Sequence, residues 1–325
     1  MRAVRIHATG GPEVLTYEEA PTPEPGRNEV LIRLRVASVS RADLLLREGR
    51  APISKGMPLI LGIDGAGTVV RGSGGDARSG DRVFVSGDTL GRLRDGTYAE
   101  YVVVPSSLVI PIHKDMAFED AAALGLTALT AWQGVVDRAD TKPYQTVLVH
   151  AAGSGVGVAA IQIAKLIGAR VIATAGTDAK LERARQLGAD SVINYTSTDF
   201  VAQVKALTNN RGVDVVIDPV GGQMLGRSLE CVAANGKLVA IGQLGGSEVE
   251  INLRLAIARG IGVLGLNAGA LPPHQAGDRY RQIADLVLRG RLKAVIDRVL
   301  PLSEAATAHR LLAQRAHFGK ILLKT

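Results

Sequence analysis

The sequence predicts an α/β protein, a doubly wound sheet of six parallel strands carried between two β-rich flanks. Three observations support this. From about Phe118 to about residue 267, strand-like and helix-like segments alternate, the pattern of parallel strands joined by crossover helices. Ahead of that block, short alternating strands separated by glycine and proline turns read as irregular all-β. Behind it come a helix at about 278–289, a strand Val295–Leu300, a helix beginning at Ser303 and a last strand Lys320–Leu323. These late β pieces have no helical crossovers and are expected to rejoin the first domain. The predicted division is a β-rich domain of residues 1–117 and 268–325 around a sheet domain of residues 118–267. A chain of 325 residues is long enough for two cores.

Residues 2–6 and 30–36 alternate as half-buried strands, and the proline-rich "PTPEPGRNE" between them cannot be helix interior. "GAGTVV", "GDRVFVSG" and "YAEYVVVP" continue the strand-and-turn texture. The helical stretch "FEDAAALGLTALTAWQGVVDRA" then opens the alternating block. Its six predicted strands are Thr146–His150, Arg170–Thr174, Ser191–Asn194, Val213–Asp218, Lys237–Ile241 and Gly262–Leu266. Between them, a helix Val158–Ile167 ends at Gly168. Another, Asp178–Leu187, starts on Asp178 as N-cap and stops at Gly188, where glycine accepts the left-handed C-terminal conformation.

The formal charge of +7 is unevenly spread. Residues 118–267 hold 13 basic and 13 acidic side chains, while the flanks hold 25 against 18. The arginines there are scattered singly rather than clustered with aromatics, which argues for a solvated basic face and against nucleic acid. No apolar run approaches the roughly 18 residues of a membrane span, and Met1–Arg5 leads into a strand without a signal-peptide core. A soluble, cytoplasmic protein is expected. The lone Cys231 excludes an intrachain disulfide and a cysteine-rich metal site, and reads as a small core residue.

The stretch "VLVHAAGSGVG", residues 147–157, sets a glycine turn between the first parallel strand and a helix. No choice of its glycines gives the literal G-x-G-x-x-G spacing. With Gly157 as the third, helix-packing glycine, the first two positions fall on the small residues Ala152 and Ser154. Gly153 and Gly155 beside them, with Val156, still let backbone approach a pyrophosphate at the helix N-terminus. At the end of the next strand, "VIATAGTDAK", an NAD-binding sheet usually carries an acid about 20 residues after the turn. Ala175, Gly176 and Thr177 stand there instead, followed by Lys180 one turn on. A carboxylate would repel a 2′-phosphate, whereas this hydroxyl and ammonium favour one, so NADPH is preferred over NADH. Read alone, Lys180 is equally a solvated helix residue.

"GGPEVL", "GDRV", "AALGLTALTAW", "HAAGSGVG", "LGADSVINY", "GKLVAIG" and "AHRLL…GKILL" occur in order along the whole chain. With them the sequence resembles the zinc-independent, zeta-crystallin-like quinone oxidoreductases of the medium-chain dehydrogenase/reductase superfamily. That resemblance implies a GroES-like substrate domain built from both chain ends around a Rossmann domain, an active site in the cleft between them, and a homodimer. It also implies that Thr127 approaches the nicotinamide end of the cofactor. Gly176, Thr177, Lys180 and Tyr195 would surround the adenosine 2′-phosphate, and the Gly242 and Asn267 loops the nicotinamide ribose and amide. Tyr195 is also readable as a strand-end aromatic, and Asn267 as a turn residue.

Zinc enzymes of the superfamily carry cysteine and histidine where this chain has Ser40, in "VSRAD", and Ile63, in "LGIDG". Neither supplies a zinc ligand of the required kind, the stretch 86–101 has no thiol, and the six histidines are dispersed. No metal is expected. Hydride transfer then needs a substrate that is already polarised, such as a quinone or an α,β-unsaturated carbonyl (enone). The developing oxygen charge would be met by Ser40, a backbone N–H or water. Asp43 is the nearest candidate carboxylate, or else a structural hydrogen bond closing its loop. Family members often carry asparagine at Ser40 and an aromatic at Leu45, so a tyrosine-relayed proton is not expected here. An NADPH-dependent quinone or enone reductase is the leading expectation. An enoyl-thioester reductase and a non-catalytic NADPH- or RNA-binding protein are the alternatives.

Overall fold

The computed structural model describes residues 1–72, 77–87 and 89–325. Asp88, within the stretch 86–101 read for thiols, lies outside the described residues. Two compact units are present, Met1–Leu126 with Gly269–Thr325, and Thr127–Ala268.

The first unit opens with β1 (Arg2–Ile6), β2 (Thr16–Glu19), β3 (Glu29–Val39), α1 (Arg41–Arg47), β4 (Leu59–Ile60), β5 (Asp64–Gly72), β6 (Arg82–Ser86), β7 (Tyr101–Pro105) and β8 (Val109–Pro111). Helix α1 corrects the all-β reading of this third. It exists because the Asp43 carboxylate reaches back to the Ser40 N–H at 2.7 Å, half of a capping box, while Leu44 and Leu46 bury against the sheet core. β1 pairs with β2 and β4 in a small sheet. The long strand β3 pairs antiparallel with both β5 and β7, and β5, β6 and β8 follow outward.

Helix α2 (Phe118–Trp132) carries the junction of the two units and breaks at Gly125, whose φ of 32° and ψ of −158° are not helical. A side chain at Gly125 would strike the Asp64 carboxylate.

The second unit holds β9 (Thr146–Val149), α3 (Gly155–Ile167), β10 (Arg170–Ala175), α4 (Asp178–Gln186), β11 (Ser191–Asn194), α5 (Phe200–Leu207), β12 (Val213–Asp218), α6 (Gly222–Ser228), β13 (Val232–Ala240), α7 (Leu253–Arg259) and β14 (Gly262–Gly265). Its strands run parallel in the order β11-β10-β9-β12-β13-β14, the doubly wound order with its switch point beside β9. Leu148, Ile172, Val216 and Leu238 bury one face against Phe200 and Leu229. Each such side chain contributes about 1.5–3 kcal/mol of burial. Helix α3 starts three residues before the predicted Val158, because Ser154 Oγ accepts the Gly157 N–H at 3.0 Å and caps it there. Gly168 ends it in the left-handed conformation, φ 90°. The predicted Asp178 N-cap is corrected: Thr177 holds that place, its hydroxyl accepting from the Lys180 N–H at 3.4 Å, and Asp178 is the first helical residue.

The first unit resumes with α8 (Pro273–Leu288), β15 (Ile296–Pro301), α9 (Ala305–Ala313) and β16 (Lys320–Lys324). Helix α8 begins more than a turn ahead of residue 278, with Pro273 at its first position. β16 lies antiparallel against β3, Leu322 opposite Ser38. The expectation of no crossover fails here, because β15 and β16 are parallel and α9 connects them.

Candidate active site

At the carboxyl edge of the parallel sheet, Gly153, Ser154, Gly155, Val156 and Gly157 lie in one turn from β9 into α3. Ala151 enters it with φ 50°, and its carbonyl accepts the Ser154 N–H at 2.8 Å. A Cβ at Gly157 would run into that same carbonyl, so the turn and helix close only around glycine. The N–H groups of Gly155 and Val156 have no carbonyl inside the helix to meet, and the helix dipole favours an anion there.

One strand over, Gly176 and Thr177 follow β10 and Tyr195 follows β11, which is in register through Ala175 and Asn194. A Cβ at Gly176 would lie 3.0 Å from Tyr195 Oη. Gly176 and Tyr195 are thus neighbours, and Thr177 stands one turn ahead of Lys180 at the start of α4. The nearby Asp178 carboxylate accepts from Asn194 Nδ2 at 2.8 Å.

Gly242 follows β13, Asn267 follows β14, and Thr127 stands on α2 past the Gly125 break. Asp218 closes β12: one carboxylate oxygen accepts the N–H groups of Val220 and Gly221 at 2.7 and 3.0 Å, and the other is buried without a partner. His150, under the turn, bridges Thr174 Oγ1 at 2.9 Å and Ser228 Oγ at 2.8 Å. Since Ser228 donates to the Met224 carbonyl, His150 Nε2 is the donor to Ser228 and Nδ1 accepts from Thr174. Burial holds this imidazole down at about 4 against the raising effect of Asp218. A glycine cradle, a helix N-terminus and an orphaned buried carboxylate oxygen at one sheet edge fit a dinucleotide.

The first unit contains a different kind of site. Asp64, fully buried at the start of β5, accepts from Ser86 Oγ at 2.6 Å, the Leu126 N–H at 3.1 Å and, more weakly, Ser40 Oγ at 3.4 Å. Tyr280 of α8 meets Ser86 Oγ at 2.7 Å, which assigns it as donor because the Ser86 hydrogen goes to Asp64. Lys320 of β16, only 4% exposed, donates to the Val39 carbonyl at 3.0 Å and to Ser40 Oγ at 2.8 Å.

Asp43 is fully buried as well. Besides the Ser40 N–H it accepts from the Gly62 N–H at 3.2 Å and Tyr98 Oη at 3.1 Å. A directed chain ends on it: Arg47 donates to His309 Nδ1 at 3.3 Å, His309 Nε2 to Tyr98 Oη at 3.1 Å, and Tyr98 to Asp43. Burial pushes Asp43 up to about 7, the Ser40 N–H opposing and the Asp64 charge reinforcing the rise. Burial also raises Asp64 and lowers Lys320, while the opposite charges of the two groups restrain both shifts. Of this cluster the sequence singled out only Ser40 and Asp43. The missed signals were an acid in "GIDGAG" and a lysine in "GKILL", ionisable residues inside otherwise apolar strands.

These residues do not fit zinc. Ser40 Oγ already accepts from an ammonium, Ile63 is a buried hydrocarbon, and Asp64 is engaged by three donors. Among the described residues no cluster of three His, Cys, Asp or Glu side chains forms a metal site. Cys231 is buried, with its thiol pushed up to about 12 by that burial. Among the described residues, no helix is long and apolar enough to cross a membrane.

Residues 26–114 match the alcohol dehydrogenase GroES-like domain family, and residues 155–289 match the family described as zinc-binding dehydrogenase. The first unit is thus GroES-like and the parallel sheet of the second Rossmann-like. A quinone oxidoreductase of Pseudomonas aeruginosa is 33% identical over 99% of both chains. The crystal structure of an NAD-dependent alcohol dehydrogenase superposes with a TM-score of 0.91 at 40% identity, covering 100% of both chains. The Escherichia coli quinone oxidoreductase complexed with NADPH superposes with a TM-score of 0.92 at 29% identity, again over 100% of both. Similarity of this extent, over the full length and both units, means that the chain belongs to the zinc-independent quinone oxidoreductase group of the medium-chain dehydrogenase/reductase superfamily.

Proposed function

We propose that the chain is a metal-free reductase that uses NADPH to reduce quinones or α,β-unsaturated carbonyl compounds. The observation that carries this reading is the Ser40 hydroxyl, gripped by a buried ammonium at the position where zinc relatives place a thiolate. A reduced nicotinamide supplies hydride, and without a Lewis acid only a polarised acceptor takes it. Ser40 Oγ–H meets the substrate oxygen as negative charge gathers on it. Asp43 acts on Ser40 from behind, through the backbone N–H, rather than on the substrate.

In the second unit, Gly153, Ser154, Gly155, Val156 and Gly157 take the pyrophosphate at the helix N-terminus. Gly176, Thr177, Lys180 and Tyr195 take the 2′-phosphate, Gly242 and Asn267 the nicotinamide ribose and amide, and Thr127 the ring end. The NADPH in the Escherichia coli structure supports this choice, and the neighbouring NAD-dependent alcohol dehydrogenase opposes it. Gly176 in place of an acid at the end of β10 supports NADPH, since no carboxylate stands at that position to bind a 2′-hydroxyl. The protein works in the cytoplasm as a homodimer. In support of the dimer, the sheet ends on β14, where Val263 is exposed, and Leu253 and Ile257 of α7 are 61% and 72% exposed. A monomeric mass by light scattering would remove that assembly.

Steady-state NADPH oxidation tests the activity. Turnover with 1,4-benzoquinone or an enone is expected, with NADPH binding tighter than NADH in a fluorescence titration. Tighter NADH defeats the reading of Gly176 and Lys180, and stoichiometric zinc on metal analysis defeats the active-site account. Preference for a crotonyl thioester moves the chain to the enoyl-thioester reductases. Tight NADPH binding without turnover leaves the non-catalytic reading.

A further inference from the structure

Lys320 is the least expected group in the first unit. A lysine on a strand paired on both sides is costly to bury. Strand pairing does not require its ammonium, because the backbone already joins β16 to β3 through Ile321 and Val39. The two acceptors of the Lys320 ammonium converge on one point, the last carbonyl of β3 and the hydroxyl of the next residue, Ser40. An ammonium has no lone pair, so Ser40 Oγ is the acceptor in this bond. The hydrogen of Ser40 must therefore point elsewhere, and its protein acceptor, Asp64 Oδ2, is 3.4 Å away. That bond is long for O–H···O, and a nearer oxygen would win the hydrogen.

We propose that Lys320 is the positioning residue that makes Ser40 a proton donor and then returns a proton to it. The inference rests on the metal-free hydride transfer set out above. Hydride and its electron pair, from a reduced nicotinamide, form a C–H bond with the substrate, and the conjugated π electrons move to the substrate oxygen. The Ser40 O–H bond breaks as the substrate O–H bond forms. A Lys320 N–H bond breaks as the Ser40 O–H bond is restored, and the neutral amine regains its proton from water after product leaves. The groups facing Lys320 are the Asp64 carboxylate on β5, the Asp43 carboxylate on α1 with Tyr98 bonded to it, the Val39 carbonyl and Ser40. Both carboxylates favour the charged lysine, and burial opposes it.

The test is a double-mutant cycle on the full chain with an enone as substrate. It reads kcat, KM, the pH profile of kcat and NADPH binding for wild type, Ser40→Ala, Lys320→Met and the pair. Expected is a fall in kcat of about 100-fold or more for each single variant, with the double variant no worse than either. NADPH binding in the second unit stays within about twofold, and the alkaline fall of the wild-type kcat profile disappears in Lys320→Met. Additive losses, or an unchanged pH profile, overturn the proposal. Lys320→Arg supplies a second arm if Lys320→Met does not fold, since arginine keeps the charge facing Asp64 and Asp43 but does not release a proton. The arginine variant is expected to fold and to remain slow, so full recovery of kcat overturns the proton-return role. A wild-type enzyme that turns over no activated carbonyl overturns both this proposal and the activity it rests on, whereas wild-type turnover with additive losses overturns the proposal alone.

Discussion

The two units bury polar groups in opposite ways. In the second, polar and glycine residues sit at the ends of parallel strands, each within a few positions of the strand that places it. Gly153 follows β9, Gly176 follows β10 and Asp218 closes β12. In the first, Ser40, Asp64, Ser86, Tyr280 and Lys320 meet from five separate elements, and the Lys320–Ser40 bond spans 280 positions. A site built at strand ends is written locally, whereas one built inside a mixed sheet is written only in the pairing of distant strands.

The difference makes the first unit the more fragile to loss of a single polar group. Asp64→Ala removes an acceptor from Ser86, Leu126 and Ser40 and leaves the Lys320 charge without the stronger of its two compensating carboxylates. A loss of about 3–5 kcal/mol in urea unfolding is expected. A loss under about 1 kcal/mol would mean that the cluster is not coupled in this way. In the second unit the sensitive point is backbone space. Gly157→Ala forces the turn away from the Ala151 carbonyl, at about 1–3 kcal/mol, and weakens NADPH binding. Unchanged NADPH affinity would take Gly157 out of the cofactor turn.

The smallest effect sharpens the comparison through pH. His309 in the first unit is held down at about 3 by burial and the Arg47 charge, and His150 in the second at about 4 by burial. Both folded values lie below the unfolded value of about 6.5, so the stability each imidazole contributes is complete above that pH and is lost as pH falls toward the folded value. Between pH 6.5 and 5 each contributes a slope amounting to about 2 kcal/mol. Asp43, raised to about 7, has the opposite sign: its contribution is complete below its unfolded value near 3.9 and is lost as pH rises toward 7. Subtracting the His309→Gln or His150→Asn curve from wild type isolates each histidine. A difference that does not change with pH would show that the imidazole is not buried neutral.

Much of the second unit was legible in the sequence, because strand alternation, glycine C-caps and a glycine turn are short-range signals. Even there the helix starts moved, since Ser154 and Thr177 cap one turn or one residue earlier than apolar periodicity suggests. The first unit was less legible. "VSRAD" carries its capping box openly, yet a seven-residue helix leaves too little periodicity to be seen against the surrounding strands. Lys320 lies in a motif used to recognise the family, but nothing nearby in sequence shows that its side chain ends on Ser40. The β15-α9-β16 crossover was missed because strand direction is not encoded in strand pattern.

The span of the Lys320–Ser40 bond also orders events in time. During synthesis the residues of the Rossmann-like unit, which end at Ala268, are all made before the strand that carries Lys320. At roughly 5–20 residues per second that interval is about 3–10 s. The Rossmann-like unit therefore has time to fold on the ribosome, while the GroES-like unit still lacks the strand that carries Lys320. A nascent chain can complete one unit before the other is fully made.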